Sequence, residues 1–232
     1  MHKSKNRIVI LTAGKVGSLT IKSSLENNPS LRDYHIYHGH DSKKYDSYWH
    51  DMSLASYFTK NRNLDNWHFI LGIRNPIECY ISSWYELHKE KGDFPIDEYQ
   101  NAGAANWWLE FLDHEYKKNF NIDLYQYDFN ISRGYSVYKP SENVSVLVYK
   151  LNSLTKVFSK ATYDLLGVRH VRMINKNFTS NKSKRISKSY ERAKEDYSIE
   201  EKYLKNILKH KYMKHFFSKK ELKDISIRWK KK

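Results

Sequence analysis

Arg7-Ile8-Val9-Ile10-Leu11 runs directly into Thr12-Ala13-Gly14-Lys15-Val16-Gly17-Ser18-Leu19-Thr20, and this junction decides the fold. The first stretch is short, apolar and β-branched, which suits a buried strand. A glycine-containing turn follows. Ile21 and Leu25, four apart, then predict a helix from about Gly17 to Asn27. Strand, turn and helix in immediate succession open an α/β domain.

The pattern repeats outward. Tyr34–His38 reads as a second strand and Trp67–Ile73 as a third, stopped by Arg74-Asn75-Pro76. Proline suits the first turn of a helix, where its missing N–H would be unpaired anyway. Ile77, Tyr80, Ile81, Trp84 and Leu87 make one helical stripe; Ala104, Trp107, Trp108, Phe111 and Leu112 make another. Val144–Tyr149 is the strongest strand signal. It leads into a helix with Leu154, Val157, Phe158, Ala161 and Leu165 on one side, ended by Gly167. From Lys182 the chain is highly charged, with a stripe at Tyr203, Leu204, Ile207 and Leu208 that predicts packed helices. The expected architecture is α/β: a central, mainly parallel sheet flanked by helices, with a helical C-terminal part. Neither an internal repeat nor a Gly/Ser/Pro linker divides it, so residues 1–232 are expected to form a single domain.

Composition narrows the classes. A chain of 232 residues with 40% hydrophobic and 15% aromatic content can bury a core. The single cysteine, Cys79, excludes an intramolecular disulfide and a multi-thiolate metal site. Ile8–Leu11 is too short for the apolar part of a signal peptide. No apolar run approaches the roughly 18–20 residues that span a bilayer. The expectation is therefore a cytoplasmic protein without a transmembrane segment. Its net charge of +15, from 41 Lys+Arg against 26 Asp+Glu, favours polyanionic partners. A basic nucleic-acid-binding protein would use that charge and the 19 Tyr and 6 Trp, but no recognised binding motif accompanies them.

Two elements carry the chemistry. In the turn after the first strand, glycines let the backbone wrap an anion, Lys15 adds a point charge, and hydroxyls donate hydrogen bonds. It is not a Walker A loop, because the lysine precedes the second glycine; this weighs against a P-loop small-molecule kinase. An ordinary βα turn with a surface lysine remains the alternative. The second element is Arg74, at the end of a strand, with Ser82 eight residues on. Together they offer a forked cation and a hydroxyl to one phosphate. Alternatively, Arg74 pairs with Glu78.

In this order the two elements resemble those of the PAPS-dependent sulfotransferases (PAPS is 3′-phosphoadenosine 5′-phosphosulfate). Lys15-Val16-Gly17-Ser18-Leu19-Thr20 is similar to their 5′-phosphosulfate loop, and Ile73-Arg74-Asn75-Pro76 through Ser82 to their 3′-phosphate motif. The resemblance implies a P-loop-like sulfotransferase fold. Lys15, Val16, Gly17, Ser18, Leu19 and Thr20 would hold the 5′ end, and Arg74 with Ser82 the 3′-phosphate. Lys15 would also meet the charge on the leaving group. Leu19 stands where the family often has a second hydroxyl, and Thr20 is the substitute. Asn152, after Val146–Leu151, departs from the family's acidic turn. The C-terminal half, from Asn121-Ile122-Asp123-Leu124 through Lys211-Tyr212-Met213, resembles a bacterial family of capsular polysaccharide synthesis proteins.

Tyr37-His38-Gly39-His40 supplies a candidate base. Residues two apart in a strand share a face, so both imidazoles can look into one cleft. The segment is similar to the YHGH of uronyl 2-O-sulfotransferases, which implies His38 as the base, with His40 assisting or holding the acceptor. Surface or capping histidines are the alternative. A metal site lacks an evident third ligand beyond His35, and none is expected. The basic stretch Asn175–Arg185 would close over the nucleotide, face an anionic acceptor, or form a solvated loop. The expected activity is sulfuryl transfer from PAPS, releasing PAP, to a hydroxyl of an anionic or neutral glycan such as a surface polysaccharide. A stable nucleic-acid partner is not expected.

Overall fold

The computed structural model describes residues 5–46, 51–88, 105–174, 190–192, 194–195 and 197–231. They group into two compact units, each assembled from two stretches of chain. One comprises Met1–Ile73 with Phe111–Lys176, the other Arg74–Glu110 with Asn177–Lys232.

The first unit is built on a five-stranded sheet. Its strands are β1 (Asn6–Leu11), β2 (Tyr34–Gly39), β5 (Asn66–Ile73), β6 (Tyr135–Ser141) and β7 (Val144–Lys150), in the order β2-β1-β5-β7-β6. A small ladder of β3 (Tyr45–Asp46) and β4 (Met52–Ser53) stands apart from it. β2, β1, β5 and β7 run parallel; β6 pairs antiparallel with β7, with an irregularity between Tyr138 and Ser141. The four strands foreseen from the sequence are those of the parallel part. β6 is an addition, a hairpin return on the sheet's outer side.

Period-two alternation distributes the core. Ile8, Ile10, Ile70, Leu147 and Tyr149 face α1 (Ser18–Glu26) and α6 (Leu154–Leu166), which contribute Ile21, Leu25, Leu154, Phe158 and Leu165 to one cluster. Gly167, left-handed at φ 70°, ends α6 as its position after the stripe predicts. On the opposite face lies an aromatic layer. Trp67 and Phe69 of β5 meet Phe58 of α2 (Leu54–Asn61), Tyr116 and Phe120 at ring-centroid distances of 5.0–5.8 Å. Tyr116 belongs to a π-helical stretch, Leu112–Lys117, and Phe120 to the short helix α5 (Lys118–Phe120). At the amino end of β1 the buried Arg7 pairs with the buried Asp65 at 2.5 Å and donates to the Tyr57 hydroxyl at 2.6 Å.

The second unit is helical. It contains α3 (Pro76–His88), most of α4 (Asn106–Phe111), α7 (Glu201–Lys209), α8 (Lys211–Phe216) and α9 (Lys219–Trp229). Ile77 and Ile81 of the α3 stripe are buried. In α4 Trp108 and Phe111 are buried, as is Leu112 at the start of the π-helical stretch, whereas Trp107 is 43% exposed. Trp107 points about 100° away from Trp108, which turns it off the buried face. Ala104 and Asn175–Arg185 lie outside the described residues. Leu204 and Ile207 are buried on α7; Ser218 and Glu221 form a reciprocal capping box at the start of α9.

Candidate functional site

β1 lies between β2 and β5, so the chain leaves β1 toward one side of the sheet and later leaves β5 toward the other. The carboxyl ends of such a pair are where open α/β sheets bind ligands. The turn after β1 occupies that position. Its backbone is left-handed at Gly14 (φ 89°), Lys15 (φ 60°) and Gly17 (φ 80°). A lysine in that region is costly, roughly 1–2 kcal/mol, so surrounding contacts must impose the conformation.

Those contacts are visible. The Tyr149 hydroxyl donates to the Val16 carbonyl at 2.7 Å, and the Tyr116 hydroxyl to the Leu11 carbonyl at 2.9 Å. Val16 is buried and packs over Gly72, where an added Cβ would come within 2.6 Å of its Cβ. At Gly17 an added Cβ would press on Leu151 and Leu154 at 3.1 and 3.2 Å. The turn is therefore clamped onto β5, β7 and the start of α6.

What the clamped turn presents is the beginning of α1. Gly17 precedes it without a side-chain cap, and the first turn holds no acidic residue. The first N–H groups of a helix have no acceptor within it, and the helix dipole is positive there. Lys15 adds a full charge beside them. Of the hydroxyls assigned to this loop, Ser18 is 6% exposed and Thr20 2%, while Leu19 stands outward at 43%. Thr20 is thus interior, and main-chain N–H groups are what the turn's outer side offers in its place.

Both histidines face the turn. Their rings are edge-to-face with centroids 5.1 Å apart. His38 Nε2 lies 2.9 Å from Ser18 Oγ. Burial, with help from the neighbouring His40 and Lys22, lowers the His38 pKa from 6.5 to about 4. It is a neutral imidazole at pH 7, with one nitrogen committed to Ser18. His40 is exposed, and its Nδ1 lies 2.6 Å from the Thr12 carbonyl oxygen. A carbonyl only accepts, so Nδ1 carries the proton in the neutral ring and Nε2 carries the lone pair. Among the described residues Nε2 of His40 has no hydrogen-bond partner. The Cβ position of Gly14 is 3.9 Å from the His40 ring.

Arg74 and Ser82 belong to the second unit. The Arg74 guanidinium bonds Glu78 through Nε at 3.2 Å, the local pairing that the i,i+4 spacing allows, and its Nη2 is 3.5 Å from the Tyr190 hydroxyl. Its backbone is held as well: Tyr212 OH donates to the Arg74 carbonyl at 3.0 Å and accepts from its N–H at 3.2 Å. Ser82 is half-buried on the second turn of α3. One residue near the carboxyl edge of the sheet escaped sequence reading: Lys150, 4% exposed at the end of β7. A lysine directly closing the apolar run Val144–Tyr149 was the available signal. Among the described residues no cluster of three His, Cys, Asp or Glu is placed to hold a metal ion.

The mostly parallel sheet, with the clamped turn and the histidine pair at the carboxyl ends of its strands, makes this an α/β protein. The family described as "Putative capsular polysaccharide synthesis protein" matches residues 97–218, over half of the chain. The protein belongs to that family. No curated protein and no solved structure matches it. Among the described residues no helix is long and apolar enough to cross a membrane.

Proposed function

We propose that the protein is a sulfotransferase with a P-loop-like fold that uses PAPS to sulfate a hydroxyl of a saccharide in surface-polysaccharide synthesis. The observation that carries this reading is the clamped turn: an uncapped helix start with Lys15 beside it, facing the imidazoles of His38 and His40, whose rings lie 5.1 Å apart. The chain's own groups fit the phosphosulfate end, since they offer N–H donors and positive charge and no competing carboxylate in the helix's first turn. Family membership supports the polysaccharide side of the reading.

PAPS, when bound, supplies an activated sulfuryl group whose bond to the phosphate oxygen breaks as the acceptor oxygen bonds to sulfur. Lys15 and the first N–H groups of α1 stabilise the negative charge gathering on the departing phosphate. The acceptor's hydroxyl proton passes to a histidine. His40 suits this step better than His38: its Nε2 carries the lone pair and is accessible, whereas Nε2 of His38 is engaged with Ser18. His38 then orders Ser18 at the start of α1. For Arg74 and Ser82 the 3′-phosphate role comes from the resemblance alone; within their own unit Arg74 is paired with Glu78.

The test is transfer of labelled sulfate from PAPS into the producing cell's surface-glycan fraction, read by mass. A parallel melt is run with PAP. Micromolar PAP without Mg²⁺ should raise the melting temperature, and Lys15→Ala should abolish that rise. His40→Ala should keep PAP binding and lose turnover, with His38→Ala less affected. Indifference to PAP and PAPS together with a shift by ATP–Mg²⁺ would replace the proposal with a kinase. Steep salt-dependent binding of nucleic acid without any PAP response would replace it with the nucleic-acid reading.

A further inference from the structure

Two consecutive residues of the π-helical stretch reach the two chain segments that hold His40. Tyr116 bonds the Leu11 carbonyl, one residue before Thr12, whose own carbonyl fixes the His40 ring. Glu115 reaches the other side. Its Oε2 accepts from the Ser42 N–H at 3.0 Å and from Asn119 Nδ2 at 3.3 Å, and Asn119 also donates to Ser42 Oγ at 2.8 Å. Ser42 is fully buried, and its carbonyl accepts from the Ala55 N–H at 2.9 Å at the start of α2.

A buried carboxylate is an expensive way to hold a loop, because its desolvation must be repaid by good hydrogen bonds. Glu115 is only 5% exposed; one of its contacts is with Ser42, two residues beyond His40, and the other is with Asn119, which bonds Ser42 in turn. A π-helical stretch is an irregularity found disproportionately at functional sites. Here it lets Glu115 and Tyr116 brace both flanks of an exposed side chain that makes few contacts of its own.

We propose that Glu115 is a positioning residue for His40: by pinning Ser42 it holds the imidazole against Thr12 with Nε2 open to an acceptor hydroxyl. This rests on His40 being the base, and the measurements separate the two ideas. The first is the ¹⁵N spectrum of the His40 ring, which reads its tautomer without any substrate. The wild-type protein should show the Nδ1–H form. Glu115→Ala should mix the tautomers, and Glu115→Gln, whose side-chain carbonyl can accept the same two donors, should restore the single form. The second is turnover: Glu115→Ala should lower kcat by about 10²-fold, the scale of a misplaced reacting group. PAPS KM should stay within about twofold, because the Lys15 turn is untouched, and Glu115→Gln should recover most of kcat. Should Glu115→Ala fail to fold, Asn119→Ala carries the test, with a partial tautomer mixture and a partial kcat loss expected. A single unchanged tautomer in Glu115→Ala, or in Asn119→Ala where that variant stands in, overturns the proposal. So does a kcat loss that Glu115→Gln does not recover. If the wild-type enzyme transfers no sulfuryl group, the functional reading fails while the spectra still decide the role of Glu115.

Discussion

The Tyr149 hydroxyl, buried on β7, donates to the carbonyl oxygen of Val16 across 2.7 Å, joining the sheet to the middle of the turn that follows β1. Replacing it by Phe leaves that carbonyl unpaired in the interior. Tyr149→Phe should cost about 1–3 kcal/mol, read as a lower urea midpoint with unchanged slope. PAP binding should weaken with it, because the turn loses one of its clamps. An unchanged midpoint and affinity would deny the hydroxyl any part in shaping the turn.

Gly72 tests the same clamp from beneath. A methyl group there would stand 2.6 Å from both the Val16 Cβ and the Tyr149 hydroxyl. Gly72→Ala should destabilise by about 1–3 kcal/mol through overpacking, and it should displace the turn. The measurement is a denaturant titration beside a PAP titration. Full stability would mean that β5 and the turn separate easily.

Lys15 offers the opposite outcome. At φ 60° the lysine occupies a conformation that glycine adopts freely. Lys15→Gly should leave stability level or raise it by up to about 1 kcal/mol, the left-handed strain being offset by glycine's entropy. The same variant should lose most of its affinity for PAP. Lower thermal stability in Lys15→Gly would show that the lysine side chain holds the turn rather than serving a ligand.

The Arg7–Asp65 pair lies far along β1 from the turn and tests the scaffold alone. Both groups are buried; Asp65 also accepts from the Lys5 N–H at 3.1 Å. Asp65→Ala strands a buried guanidinium and should cost about 3–5 kcal/mol. The check is equilibrium unfolding, and a loss below about 1 kcal/mol would show that Arg7 finds other support.

Acid should loosen the fold before any carboxylate titrates in full. Burial lowers the pKa of His68 on β5 to about 4, and burial with His40 and Lys22 does the same at His38. Above the ordinary value of 6.5, folded and unfolded chains are both neutral at these rings, which then contribute nothing to the pH dependence. As pH falls from 6.5 toward 4, the unfolded chain binds protons that the folded one refuses, so stability declines and then levels off. Urea midpoints between pH 4 and 8 measure this. His68→Leu should flatten the slope; an equally steep slope in that variant would remove His68 as its source.

Three of the parallel strands, β1, β5 and β7, were legible as apolar runs buried on both faces, as in Phe69-Ile70-Leu71 and Val146-Leu147-Val148. β2 is mostly half-buried and showed only in its aromatic and β-branched residues. β6 was not legible. Its sequence, Tyr135 to Ser141, mixes tyrosines with Lys139 and Pro140, the composition of an outer strand rather than a buried one. The candidate site was legible where chemistry sits in a short motif: Gly14 to Ser18, and His38 with His40. It was illegible where chemistry depends on partners far away in sequence. Nothing near His38 announces the bond to Ser18, and nothing near Ser42 announces Glu115. The division of labour proposed for the two histidines rests on those bonds, which spacing alone does not show.

The strand order also bears on how the chain is made. β5 finds one neighbour, β1, among residues already synthesised, but its other neighbour, β7, emerges only after everything from Arg74 to Asn143 has been translated. Until then one flank of Phe69 and Ile70 has nothing to pair with. Such long-range parallel pairing is slow and leaves sticky edges exposed. A ribosome-bound chain stopped short of Val144 is therefore the form of this protein that most needs a chaperone.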